Sequence, residues 1–227
     1  MLSAPPGRER EGSLTCQRKL LCLIAVLWFL ALLFDPGTSR ATAASRSIYP
    51  WEQLVAQYQK SSVPEHRLIL ATAYANLGQL EEAFAIFQEL SQGAYQELGE
   101  TVIKKYSART QKDPKDILAW NLQAFAYYAL AQHDQAIASF RQVVSLDPGN
   151  VWPRHFLALS LAAVDRIDEG VAVLEEALRL DEGNQYTHLL LAMGYYEQKR
   201  YAAAIWHLLR SPQAAAKLAR YGITVGK

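Results

Sequence analysis

Apolar positions in this chain return with a fixed period. The stretch ILAWNLQAFAYYALAQHDQAIASFRQVVSLDPGN, residues 117–150, carries Trp120, Ala124, Tyr127, Ala136, Phe140 and Pro148. His188, Ala192, Tyr195, Ala204 and Leu208 occupy the matching positions 68 residues later, two periods of 34. Such spacing predicts one helix–turn–helix hairpin per period. A hairpin of this size cannot bury its apolar side alone and must stack on its neighbours. The residue types fit that geometry. Two helices cross closely only where a side chain is small, which accounts for Ala124 and Ala136, and Tyr127 and Phe140 fill the space beside the crossing. Asp147-Pro148 ends the second helix, because proline cannot continue a helix and disfavours helical geometry in the residue before it.

The same phase runs through most of the chain. Residues 151–184 repeat it with Leu157, Ala158, Leu161, Leu174 and Ala177, departing at Arg154 and Gly170. Residues 185–218 follow, except that Ser211-Pro212 breaks the second helix early. Ser211 reads as an N-cap and Pro212 as the start of a closing helix over 213–221. An earlier unit, 64–97, places Leu70, Ala71, Tyr74, Gly78, Ala83 and Phe87 in register, and Ser62-Val63-Pro64-Glu65 reads as a capping box. Residues 98–116 are an insertion in the phase. Leu98, Val102, Ile103 and Tyr106 have helical spacing, and Asp113-Pro114 stands one period before Asp147-Pro148. They predict an extra second-type helix near 98–111, from a degenerate repeat or an elongated hairpin. The segment 47–60 is amphipathic, with Trp51, Leu54, Val55 and Tyr58 on one side, and reads as a cap on the first unit.

These residues resemble the tetratricopeptide repeat (TPR) family over about 155 residues. The resemblance implies an all-α, right-handed TPR-type solenoid of about four helix–turn–helix repeats. The extra helix and terminal capping helices complete it. The domain plan is a leader over 1–43, a linker and capping helix over 44–63, the solenoid over 64–218 and a tail over 219–227. In TPR proteins the first helices of successive units line a concave groove. Carried over by position, that groove holds Asn121, Phe125, Tyr128, Trp152, His155, Tyr186, Leu189, Met193 and Tyr196. Some TPR domains hold a partner's terminal carboxylate with Lys, Asn and Arg at these positions; here only Asn121 is of that type. The aromatic strip fits an apolar or aromatic segment of a protein partner, extended or helical. Alternatively, the chain's own 49–60 helix covers it, or its aromatics pack against neighbouring helices. His155, in mid-groove, reads as a plain groove hydrogen bond, with a pH-sensitive contact as the alternative.

The first residues form a separate signal. Arg18-Lys19 precede fifteen apolar residues, Leu20–Phe34, and Ala41-Thr42-Ala43 follows as a cleavage-like site. As a helix the run spans about 22 Å, short of a hydrocarbon core of about 30 Å. It reads as an export signal, with an uncleaved anchor through 20–34 as the alternative. Basic residues cluster before the run, so the repeats are expected on the non-cytoplasmic side, in a periplasm or thylakoid lumen. Both cysteines, Cys16 and Cys22, lie in this leader, which leaves residues 44–227 without thiol chemistry or a disulfide framework.

Beyond residue 43, 18 Lys and Arg face 19 Asp and Glu. That balance argues against nucleic acid, which would require a concentrated basic surface. The single basic cluster, Lys104, Lys105, Arg109 and Lys112 with Lys115, is a solvated helix face or a patch for an acidic partner. No phosphate loop, HExxH, paired cysteine or nucleophile elbow occurs. Neither a cofactor, a metal nor a small-molecule substrate is expected, and the chain reads as a non-enzyme. The expectation is a protein-interaction scaffold that helps assemble or stabilise a membrane-associated complex. A permanent membrane-anchored structural subunit is the alternative.

Overall fold

The repeat boundaries are set by one short polar motif. It occurs as Asp113-Pro114-Lys115-Asp116, Asp147-Pro148-Gly149-Asn150 and Asp181-Glu182-Gly183-Asn184. In each copy the N–H of the last residue donates to the carbonyl of the first, at 3.1–3.2 Å. The last side chain then caps a helix: Asp116 accepts from Ala119 N at 2.9 Å and Asn184 from Thr187 N at 3.1 Å. Asn150 does the same for Trp152 N at 3.1 Å. Each motif therefore turns the chain and satisfies orphan helix N–H groups at once.

A computed structural model describes residues 47–92 and 95–211. These hold ten helices and no strand: α1 (Trp51–Tyr58), α2 (Pro64–Asn76), α3 (Leu80–Ser91), α4 (Tyr95–Lys112), α5 (Ile117–Ala129), α6 (His133–Leu146), α7 (Trp152–Ala162), α8 (Ile167–Leu180), α9 (Gln185–Glu197) and α10 (Tyr201–Leu209). Helix pairs α5/α6, α7/α8 and α9/α10 form successive hairpins, each packed on the one before. Their turns are alike. Ala131, Asp165 and Lys199 sit at φ 56°, 62° and 60°, and Gly78 takes φ 74° between α2 and α3. The residue after each donates back to Tyr127, Leu161, Tyr195 or Tyr74, at 2.8–3.0 Å. This is a Schellman closure, which satisfies the last carbonyls of each first helix.

Ala124, Ala136 and Phe140 are fully buried, as the crossing argument requires. The insertion is a helix, α4, longer than the 98–111 expected for it. It packs along α5 as a second-type helix would. Val102 and Tyr106 from α4 join Trp51, Ile69, Leu118 and Leu122 in a second core cluster. Helix α1 packs on α2, in the capping role expected of it.

One local expectation differs. The Ser62 capping box does not form. Val63 takes the N-cap position and Pro64 the first turn, with no side-chain cap. Ser61 instead accepts from Val63 N and pairs with His66 Nδ1 at 2.9 Å. Glu65, the reciprocal partner, is drawn away to Lys105 and Tyr106 of α4, both at 2.6 Å. The leader over 1–43, the closing helix over 213–221 and the tail lie outside the described residues.

Candidate functional site: the inner face and its occupant

The groove positions of α5, α7 and α9 share one face, and the chain's own α2/α3 hairpin lies across it. Because α4 packs against α5 at that end of the stack, the hairpin is displaced onto the inner side. It touches α5 and α7 together. Four contacts fix the placement. Asn76 at the end of α2 donates to Asn121 Oδ1 at 3.0 Å, and Asn150 donates to Asn76 Oδ1 at 3.3 Å. The turn residue Gly78 sits so close to Trp152 that an added Cβ would stand 2.1 Å from its ring. Phe87 of α3 packs tilted against Phe125, centroids 5.2 Å apart.

The polar part of this seam is internally satisfied. Asn76 also donates to Thr72 O at 2.9 Å and Asn121 to Ile117 O at 3.0 Å. All three asparagines are buried. A buried amide left unpaired would cost about 1–3 kcal/mol, so the ladder selects this docking over a shifted one. Just ahead of α1, the Asp147 carboxylate accepts from Ile48 N at 3.0 Å and from the Ser47 hydroxyl, pinning the chain to the second repeat boundary.

The structure thus sorts the nine groove positions. Asn121, Trp152, His155, Tyr186 and Leu189 are buried. Trp152 packs edge-on to Tyr186 and His155, at 5.3 Å and 5.0 Å. Burial and the charges of Glu81 and Glu82 push the Tyr186 phenol up, which places the start of α3 near the third unit. Phe125 and Tyr128 are half-covered. Met193 and Tyr196 remain exposed, at 36% and 62%. The hairpin 64–91 meets Asn121, Phe125 and Trp152, and neighbouring helices bury His155, so the strip is partly covered and not by the 49–60 helix.

His155 makes a plain hydrogen bond within the groove rather than a pH-sensitive contact. Its Nε2 shares a hydrogen bond of 2.8 Å with Thr187 Oγ1, and its ring is 3% exposed. Burial, aided by the neighbouring Arg154, pushes it down to about 3, so the imidazole is neutral at physiological pH. The basic cluster is partly spent. Lys105 pairs with Glu65 and Arg109 with Asp116, each at 2.6 Å, while Lys104 and Lys112 stay exposed.

Two features were not anticipated. Next to Tyr196 an apolar surface continues over Tyr201, Ile205, Trp206 and Leu209, all exposed. Tyr196 and Tyr201 meet at 5.6 Å, and the Arg210 guanidinium lies over the Trp206 ring. Beneath it His188 and His207 share a hydrogen bond of 2.9 Å between their Nδ1 atoms. Among the described residues no group of three or more His, Cys, Asp or Glu side chains converges as a metal site would. No described helix is long and apolar enough to cross a membrane.

Comparison with known proteins matches the repeat. Residues 117–150 and 67–92 each match a family model described as the tetratricopeptide repeat. No curated protein matches. Among solved structures, "Crystal structure of MamA protein" aligns at 13% identity with a TM-score of 0.49, covering 78% of this chain and 85% of that one. "MamA MSR-1 C2" aligns at 18% identity and a TM-score of 0.49, covering 74% and 88%. "MamA 41-end from Desulfovibrio magneticus RS-1" gives 17% and 0.44, covering 74% and 84%.

Proposed function

From the premise that this chain is a tetratricopeptide-repeat protein, we propose that it is a non-catalytic scaffold that holds an apolar or aromatic segment of a partner protein. The surface we assign is the exposed end of the inner face, Met193 and Tyr196, continued by Tyr201 and Trp206. The carrying observation is that these side chains stay open to solvent while the rest of the strip is buried or half-covered. Large aromatics bury much area at small entropic cost, which makes them good anchors. Isolated exposed apolar residues are ordinary, but a run of them on one adjoining pair of helices marks a contact surface.

The export-like leader supports a setting on the non-cytoplasmic side, where the scaffold helps assemble or stabilise a membrane-associated complex. Determining the N-terminal residue of the purified protein tests the leader. A chain starting near Ala44 or Ser45 excludes a permanent anchor, and one retaining Leu20–Phe34 excludes export with cleavage.

The partner surface has its own test. Partners are crosslinked to the protein in its native membranes, identified, and their affinity measured by titration. Tyr196→Ala with Trp206→Ala is expected to weaken binding at least tenfold with unchanged circular dichroism. Unchanged affinity in this pair removes the assignment. Trp152→Ala is a poor probe of the surface, since truncating so buried a ring costs about 3–5 kcal/mol of stability.

A further inference from the structure

The seam between the hairpin and the inner face is not filled. A cavity of about 150 Å³ lies where α3 passes over α5 and α7. Protein interiors are close-packed, and apolar voids of this size are few. Its persistence here has a structural cause. Phe125 stands at the centre of a group of rings, edge-on to Phe140 at 5.3 Å and to Phe156 at 4.9 Å, with Phe87 at 5.2 Å. Rings braced against each other in this way cannot lean inward. The lining also includes five small residues, Ala75, Ala83, Ala126, Ala129 and Gly99, which cannot reach into the space, beside larger ones such as Leu80 and Leu98.

The lining carries no charged side chain. Gln88, which is exposed, and Ser91, half-buried, supply polar groups at its edge. Burial pushes the Tyr128 phenol up, as a water-poor surrounding would. Phe84, Phe125, Tyr128 and Leu159 retain some exposure, so the cavity opens to solvent on one side.

We propose that this cavity is a binding site for the alkyl chain of an uncharged amphiphile, with its neutral head at Gln88 and Ser91. Volume, lining and access all point that way. An enclosed apolar cavity of about this volume accepts a benzene-sized guest, and the opening here lets a longer chain enter. A carboxylate or ammonium head would meet no counter-charge on this lining and keeps its hydration only by staying out in water, which draws its chain from the cavity. A peptide backbone is a worse fit than a hydrocarbon chain. The cavity walls are helices whose backbone groups are already paired, so an entering main chain would have its N–H and C=O groups desolvated and unpaired. The site is distinct from the exposed aromatic end assigned to the partner, and neither reading depends on the other.

The test uses the full chain and three probes of equal length: 1-octanol, octanoate and octylammonium. Thermal unfolding is followed against concentration of each. Occupancy of the folded state raises the midpoint by mass action. Octanol is expected to give a rise that grows with the logarithm of its concentration, about 3–5 °C at ten times its dissociation constant. The two charged probes are expected to bind at least tenfold more weakly. Ala129→Phe fills the cavity and is expected to abolish the octanol shift while the probe-free protein keeps its cooperative transition. Should Ala129→Phe fail to fold, Leu159→Trp serves the same end from the facing helix. No rise with octanol, equal binding of the charged probes, or an undiminished shift in the filled variant overturns the proposal. The last outcome assigns binding elsewhere, as to the apolar run over 20–34.

Discussion

At the scale of single residues, the folded state is tuned to neutral histidines. His155 is pushed down to about 3 by burial and by Arg154, and His207 to about 4 by burial, His188 and Arg210. In the unfolded chain these rings take up protons near pH 6.5. The unfolded state therefore binds more protons below that value. Stability is full above about pH 7 and declines as pH falls through 6.5 toward 4 and 3. Glu65 and Glu169, held below the usual carboxylate range, add a further loss once pH falls below the ordinary glutamate value of 4.5. For His155 alone the loss between pH 7 and 5 is on the order of 2 kcal/mol. His155→Gln, which retains a polar group for Thr187, is expected to shrink the difference in urea midpoint between pH 7.5 and 5. An undiminished difference would contradict this reading. The polar motif that ends each repeat was only half legible in the sequence. Its prolines and aspartates gave the helix ends, but the capping by Asp116, Asn150 and Asn184 needed the backbone geometry. The Ser62 box failed for a reason no local pattern records, namely that Glu65 has stronger partners forty residues away.

At the scale of elements, the stacking of α5 to α10 was readable because each crossing leaves a small residue at a fixed position. The extra helix was readable too, from the spacing of Val102 and Tyr106 and from Asp113-Pro114. The resting place of the α2/α3 hairpin was not. Helical periodicity tells which side of an element is apolar, not which surface it meets. An aromatic groove filled by the chain itself reads the same as one awaiting a partner. One signal was available in Gly78, the turn position where the other units carry Ala131, Asp165 and Lys199. Those three tolerate the left-handed conformation at a cost of about 1–2 kcal/mol each, so conformation alone does not require glycine. Proximity to Trp152 does. Gly78→Ala is expected to cost about 2–3 kcal/mol, from overpacking and a strained φ. Hydrogen exchange should accelerate first in α2 and α3. A variant as stable as its parent, with α2 and α3 equally protected, would contradict the seam described here.

At the scale of the whole molecule, the chain behaves as a repeat stack that supplies its own first ligand. Five of the nine groove positions are used internally, two are half-covered, and Met193 and Tyr196 are left for others. That division accounts for the absence of a basic clamp, since the buried inner face meets Asn76, Gly78 and Phe87 rather than a terminal carboxylate. It also moves the proposed partner surface to the end of the stack farthest along the chain from the leader. The central claim is that the hairpin 64–91 lies on the inner face in the protein as it exists in solution. Residues 44–227 contain no cysteine, so with Cys16 and Cys22 replaced by serine a single engineered pair reports without background. Gln88→Cys with Leu159→Cys, which lie on the two sides of the seam and keep some exposure, treated with a short bismaleimide at low protein concentration, is the most direct measurement. An occupied groove predicts near-complete intramolecular crosslinking with helicity retained, and a control pair, Gln88→Cys with Tyr201→Cys, that stays unlinked. A folded protein in which the 88–159 pair fails to link, or links no better than the control, would contradict the account.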